Sequence, residues 1–241
     1  MRIRLNCLPG YIDHLPKPVL AGAALPDWLR AMPAEAAADA LGGAVVRTVK
    51  QCPPFVDALR TGVLFPLAAA LTVRAGELSW DWDLPVHPVA RPSRAPIGVH
   101  LPEQAAGLPG LPEPTQLVVK FTNFWTVALP EGWSMLFTHP LNRLDLPFRT
   151  ISGVVDCDSW RDGLVHFPAL WSDPDFEGVL PAGTPVAQGI LLRREPIELE
   201  IGDMPAERLA AHVEVQDGLQ AEPGLYRKRY RRGPEGGAAK S

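Results

Sequence analysis

Asp156 and Asp158 stand two residues apart in the segment SGVVDCDSW, so on an extended chain both carboxylates project to one face. Like charges held that close raise one pKa, which suits either a general base or a ligand for a divalent ion. The competing reading is an aspartate-rich turn whose carboxylates cap a hairpin by accepting backbone N–H bonds. Cys157, between them, points the other way, into the core. A second polar cluster, Thr138-His139-Pro140-Leu141-Asn142-Arg143, breaks the apolar run that ends at Phe137. A turn between strands exposes the His139 ring and sets Asn142 and Arg143 in the same loop, where the pair can orient a substrate and grip an anionic group. His139 equally well shapes a His-Pro turn by hydrogen-bonding a backbone carbonyl.

His166 lies in LVHF, on the face opposite Val165 and Phe167. If those two face the core, His166 points outward in the direction of Asp156. His139, His166 and Asp156 are then candidates for a facial metal triad with open positions, as non-haem iron enzymes use. The spacing does not compel it, because no HxD or HxxxH pair puts two ligands on one element and three separate loops must converge. Cys52, just before Pro53-Pro54-Phe55, is a candidate low-pKa thiolate or haem ligand, set against the ordinary role of free cysteine as a small buried hydrophobe. Trp160, at a strand end, is either a wall of an aromatic substrate pocket or packing.

These residues need a rigid frame, and the chain predicts a β-rich one. Its 27 prolines fix φ and remove backbone donors, which disfavours long helices. The segments FTNFWTVALPEGWSMLFTHPLNR, FRTISGVVDCD, GLVHFPALW and FEGVLPAGTPVAQGILLRRE read as consecutive short strands with polar turns. The expected organisation is one β-rich domain over residues 1–226 with its core at 117–201, an N-terminal decoration over 1–84, and a proline-rich surface excursion over 85–115. Short helices are expected at Pro26–Met32, with Asp27 at the start, at Val56–Arg60 closed by Gly62 as a left-handed cap, and at Pro205–Leu219 with Asp203 as start signal. The strand expected at Val63–Val73 is interrupted or confined to an edge by Pro66, and AEAAADALGGA is either helix or loop. Leu78 to Leu84 alternates, with Leu78, Trp80, Trp82 and Leu84 on one face. From residue 227 on, the basic, glycine-rich end reads as a mobile tail.

A formal charge of −4 over 241 residues argues against a general nucleic-acid binder. Three cysteines without a CxxC pair argue against a disulfide framework or a cysteine-rich zinc site and fit a reducing, cytoplasmic setting. No charged-then-apolar leader opens the chain and no apolar run approaches the roughly 20 residues that span a bilayer, so membrane insertion is not expected.

ALPEGWSMLFTHPLNR, SGVVDCD and LPAGTPVAQGIL follow one another in an order that resembles the motifs of the dUTPase and dCTP deaminase superfamily. The resemblance covers about residues 117–195, and the chain as a whole resembles a bacterial and phage protein family sharing the KxCPPF, FTHPLNR and SGVVDxD segments. The superfamily resemblance implies a distorted β-barrel or β-clip fold, often trimeric, with the site assembled between subunits. It places Asp156 on the general base toward the attacking water and Gln188 on a structural strand glutamine. Arg143 falls in the loop of the phosphate-contacting arginine, although Thr138 to Arg143 departs from that motif, and Ser159 with Trp160 stands where an aromatic is expected after the second aspartate. The activity expected is that of an enzyme on a small polar molecule. In a hydrolase Asp156 activates water, Arg143 pairs with an anionic group, His139 or Asn142 orients the substrate, and Mg²⁺ assists if the substrate is a nucleotide. The alternatives are an iron- or haem-dependent oxidative enzyme and a non-catalytic trimeric module that binds a ligand or a protein.

Overall fold

The structure, a computed structural model, describes residues 1–109 and 118–232. In chain order the strands are β1 (Arg4–Asn6), β2 (Val19–Leu20), β3 (Glu35–Ala38), β4 (Ala44–Arg47), β5 (Val63–Pro66), β6 (Leu71–Arg74), β7 (Glu77–Ser79), β8 (Ile97–His100), β9 (Val118–Phe121), β10 (Thr126–Ala128), β11 (Trp133–Thr138), β12 (Phe148–Thr150), β13 (Gly153–Val155), β14 (Phe167–Trp171), β15 (Gly178–Leu180) and β16 (Pro185–Arg193). Helices are few: α1 (Asp27–Ala31), α2 (Pro53–Arg60) and α3 (Ala206–Ala221). The protein is thus all-β in its framework, as its proline content and strand-like runs predict. Among the described residues no helix is long and apolar enough to cross a membrane.

The chain divides into two compact units, Met1–Met32 with Asp57–Glu195, and Pro33–Val56 with Pro196–Ser241. Among its described residues the first holds four antiparallel sheets, each with an open, linear strand order: β13-β11-β16-β5-β2, β12-β14-β9-β8, β15-β6-β7 and β1-β10. Its core gathers Phe65, Phe137 and Phe167, whose ring centroids are 5.4, 5.4 and 5.5 Å apart, with Phe121 and Phe148 tilted against each other at 4.7 Å. Those distances fall in the range where tilted aromatic pairs attract beyond their area burial. Cys157 is fully buried in the same core, and desolvation pushes its thiol up to about 11.

β5 and β6 replace the single strand expected over Val63–Val73. Pro66 ends β5 beside the register shift of β16 between Pro185 and Ala187, so the proline falls where the ladder is already broken. β5 is nonetheless an inner strand, flanked by β16 and β2. Gly62 has φ +74°, the left-handed conformation expected of a helix cap. α2 begins at Pro53, earlier than the apolar spacing indicates, since proline at a first helical turn has no intrahelical donor to lose. The alternation from Leu78 survives in part: Leu84 is fully buried and Leu78 and Trp82 are half-buried, but Trp80, expected on the same face, is 39% exposed, and only Glu77–Ser79 pairs as strand. The proline-rich excursion contains a true strand, β8, which pairs with β9, and its residues 110–115 lie outside the described ones.

In the second unit the alanine-rich segment forms the β3–β4 hairpin, turned through Gly42 in the left-handed region. Thr48 Oγ1 donates to the carbonyl of Pro33 at 2.6 Å and ties the hairpin's ends. α3 matches the expected helix, but Pro205, not Asp203, is its N-cap. Leu225 is buried, and Lys228 and Arg229 pair with Glu222, so the first part of the basic end is helical; residues 233–241 lie outside the described ones.

Candidate functional site

β13 ends at Val155, and the chain turns at once: the Asp156 carbonyl accepts the N–H groups of Ser159 and Trp160. Antiparallel pairing sets β11 between β13 and β16, which brings Ser134 and Arg194 to this turn. Ser134 Oγ donates to Asp156 Oδ1 at 2.6 Å. Arg194 Nη1 lies 3.1 Å from Ser134 Oγ, 3.2 Å from Asp156 Oδ1 and 3.0 Å from Asp158 Oδ1, and its Nη2 donates to Asp158 Oδ2. Asp158 Oδ2 also accepts the Gly132 N–H at 2.8 Å. Both carboxylates reach one guanidinium, but their settings differ: the Asp158 side chain is 5% exposed and that of Asp156 is 60% exposed.

The electrostatics follow from that arrangement. The Arg194 guanidinium holds the Asp158 carboxyl well below the usual carboxylate range, the Gly132 N–H adding to it. The mutual repulsion expected to raise one aspartate is outweighed by the cation between them. Asp158 is therefore a fixed, saturated acceptor that closes the turn. One guanidinium facing two carboxylates leaves one negative charge, at the exposed Asp156 end. The guanidinium stands where a divalent ion bridging the two aspartates would have to sit, so this pair does not make a metal cage.

His139 has both ring nitrogens engaged. Thr150 N–H donates to Nδ1 at 3.3 Å, which fixes the proton on Nε2, and Nε2 donates to the Arg143 carbonyl at 2.9 Å. Burial lowers its pKa, with Arg149 and Arg143 also acting against the charged form. Arg143 is bound by Asp145 in a bidentate pair, Nε to Oδ1 at 2.8 Å and Nη2 to Oδ2 at 2.9 Å. Trp28 Nε1 holds the same carboxylate at 3.2 Å. Asn142 takes φ +58°, the left-handed turn conformation asparagine tolerates. The loop is pinned below by Gln188, 1% exposed, whose Oε1 accepts the Leu141 N–H at 2.7 Å.

His166 Nδ1 accepts the Asn123 N–H at 3.2 Å, and burial lowers its pKa, with Lys120 adding to the effect. It faces Asn123, not Asp156. His139, His166 and Asp156 thus have separate partners, and no group of three or more His, Cys, Asp or Glu is placed to hold a metal among the described residues. The expected triad does not come together because each member is taken by different groups: His139 by Thr150 and Arg143, His166 by Asn123, and Asp156 by Ser134 and Arg194. Cys52 is exposed between a 3-10 turn and α2. Trp160 is 55% exposed and lies over Gly163, where an added Cβ would sit 2.1 Å from its ring.

Both histidines are neutral acceptors of a backbone N–H, and this has a pH consequence. Their folded pKa values are lowered, so below the ordinary value of about 6.5 the unfolded chain binds protons that the folded one refuses. Their contribution to stability is full above about pH 6.5 and is lost as pH falls from there through the folded values. Asp158 acts in a lower window, below about 3.9, because its folded pKa is depressed. Urea midpoints across this range are expected to fall in two steps, and His139→Gln should shrink the upper one.

The polar partners that sequence reasoning missed are Arg194, Ser134, Asp145 and Arg149. Arg149 gives Nη1 to the carbonyls of Leu146 and Phe148 at 3.1 and 3.0 Å. A separate cavity of about 780 Å³ was also missed; Trp80, Trp171, Leu78, Val99, Val119 and Glu77 contribute to its lining.

No protein-family model matches the chain, and no curated protein matches it. Among solved structures, a mutant dUTPase from phage phi11 of Staphylococcus aureus, described with a structural Mg(II) ion, is 13% identical with a TM-score of 0.27, covering 45% of this chain and 97% of its own. A mutant dUTPase of Staphylococcus bacteriophage 80alpha, with dUpNHpp, is 13% identical with a TM-score of 0.27, covering 46% and 97%.

Proposed function

We propose that the protein is an enzyme acting on a small polar, anionic molecule, with Asp156 as the group that activates water. The observation that carries this reading is the asymmetry of the two aspartates. Asp158 is buried and saturated, whereas Asp156 is held in one orientation by the Ser134 hydroxyl and Arg194 while its side chain stays 60% exposed. An oriented, solvent-open carboxylate is what a general base requires: it accepts a proton from a water that attacks an electrophilic centre of the substrate. His139, Arg143 and Asp158 are committed within the protein, so substrate contacts in this reading come from Asp156 and the surface beside it. The test is turnover of a panel of nucleotides and other small phosphate and carboxylate esters by the wild type and by Asp156→Asn. The substitution keeps the shape and removes the basicity. Turnover lowered by about two orders of magnitude or more, at an unchanged unfolding midpoint, supports the reading. An Asp156→Asn protein as active as the wild type rejects it.

A second reading, a ligand-binding protein without turnover, is favoured by the 780 Å³ cavity, whose volume lies within the range of small-molecule sites, about 300–1,000 Å³. Two indole rings and one carboxylate, Glu77, suit an apolar or aromatic ligand there. Absence of turnover across the panel together with ligand-dependent quenching of tryptophan fluorescence, lost in Trp80→Ala, would favour it over the first.

A further inference from the structure

A second cavity has the opposite character. Its volume is about 240 Å³ and it is lined by Arg2, Arg4, Ala128, Leu129, Pro130 and Arg161. The sheet pairing explains the gathering. Arg4 on β1 lies opposite Ala128 on β10, and the Leu129 N–H binds the Cys157 carbonyl, which brings the aspartate turn and Arg161 to the same place. Arg161 is fixed there, giving Nε and Nη2 to the Asp158 carbonyl at 3.0 and 2.6 Å. Among the described residues no lining residue is acidic. The buried carboxylate of that turn, Asp158, is spent on Arg194 and the Gly132 N–H, and Glu131 and Asp162, chain neighbours of lining residues, are not in the lining. Arg2 and Arg4 have no carboxylate at ion-pair distance among the described residues.

We propose that this cavity is a binding site for the phosphoryl group of a small molecule. Three arginines line this one small hollow, and their like charges repel one another unless an anion lies among them. Their forked donors outnumber what the two oxygens of a carboxylate can take, and they suit the three terminal oxygens and near-double charge of a phosphate. The volume is below that of a whole-ligand pocket, about 300 Å³ at the low end, so the cavity takes the charged group while the remainder of the molecule lies outside it. The site goes beyond the role given to Asp156 and does not depend on it.

The test is calorimetric titration of the full chain with pyrophosphate at low salt. Saturable binding is expected, about tenfold or more weaker in the Arg2→Gln/Arg4→Gln double variant and unchanged in Arg74→Gln, a control on β6. Arg2 and Arg4 are exposed, so the double variant is expected to fold, and its unfolding midpoint checks this. Asp156→Asn should still bind pyrophosphate, which separates failure of this site from failure of the catalytic reading. No saturable binding by the wild type, equal binding by the double variant, or an equal loss in Arg74→Gln would overturn the proposal.

Discussion

Replacing Gly62 with alanine is expected to prevent the five-stranded sheet from forming. A Cβ at this position would lie 2.0 Å from the Gly189 carbonyl oxygen and 3.1 Å from its carbon, both backbone atoms of β16. Neither can move without breaking the β5–β16 pairing, in which Val63 sits opposite Gly189. Gly189 is itself closely packed, since a Cβ there would meet Met135 Sδ at 2.4 Å and Phe65 at 3.0 Å. To the collision is added the strain of a left-handed φ of +74°, about 1–2 kcal/mol for a residue with a Cβ. Gly76 supplies the control. It has nearly the same φ, +76°, but nothing within 4 Å of its Cβ position, so Gly76→Ala carries the strain alone. The expected result is a Gly76→Ala protein that folds with a stability loss of about 1–2 kcal/mol. Gly62→Ala should instead lack a cooperative urea transition. A Gly62→Ala protein no less stable than Gly76→Ala would show that the close approach to β16 is not tight.

Gly62 was legible before the structure, and the reason is local. A glycine after a short helical pattern has one common use, the left-handed cap, and that can be read without knowing what lies nearby. The same holds for α1, α3 and the inward Cys157, each decided by residues a few positions away. The hairpin β3–β4 was not legible, because alanine has weak strand preference and its pairing partner decides its state. The candidate site divides the same way. The polar turns could be located from the sequence, but not the fate of their side chains. Arg194 comes 36 residues after Asp158 and meets it only because β16 lies beside β11, and Arg143 is neutralised by an aspartate two positions on that an extended or turned chain presents differently. A polar loop residue is available for chemistry only where its neighbours leave part of it open to solvent. That is a property of the packed structure, and it withdrew His139, Arg143 and Asp158 while leaving Asp156 exposed.

Gln188→Leu tests how the His139 loop is held. Gln188 is 1% exposed, on the inner strand β16, and its amide joins two segments distant in sequence. Oε1 accepts the Leu141 N–H at 2.7 Å, and Nε2 donates to the carbonyls of Ala58 and Thr61 at 3.0 and 2.6 Å. Leucine fills a similar volume, so little is lost in packing. The part-buried Leu141 N–H and Thr61 carbonyl lose their side-chain partner, while the Ala58 carbonyl keeps the Thr61 N–H at 3.4 Å; at about 1–3 kcal/mol for each of the two groups, a total of about 2–6 kcal/mol is expected. For a domain whose whole stability is of the order of 5–15 kcal/mol this is a large fraction. Gln188→Glu separates hydrogen bonding from size. Its carboxylate still accepts from Leu141 but faces two carbonyl oxygens with no proton to offer, and burial disfavours its charge. Once protonated it can donate to one of them, so its deficit relative to wild type, compared at each pH, should shrink as pH falls. Because the glutamine anchors Leu141, Gln188→Leu should also free the turn that presents His139 and Arg143, giving faster amide exchange at Leu141 than at Thr150, whose N–H keeps its bond to His139. A Gln188→Leu protein within about 1 kcal/mol of wild type would mean that water takes over the freed groups, and that the loop is held by the Arg143–Asp145 pair and His139 instead.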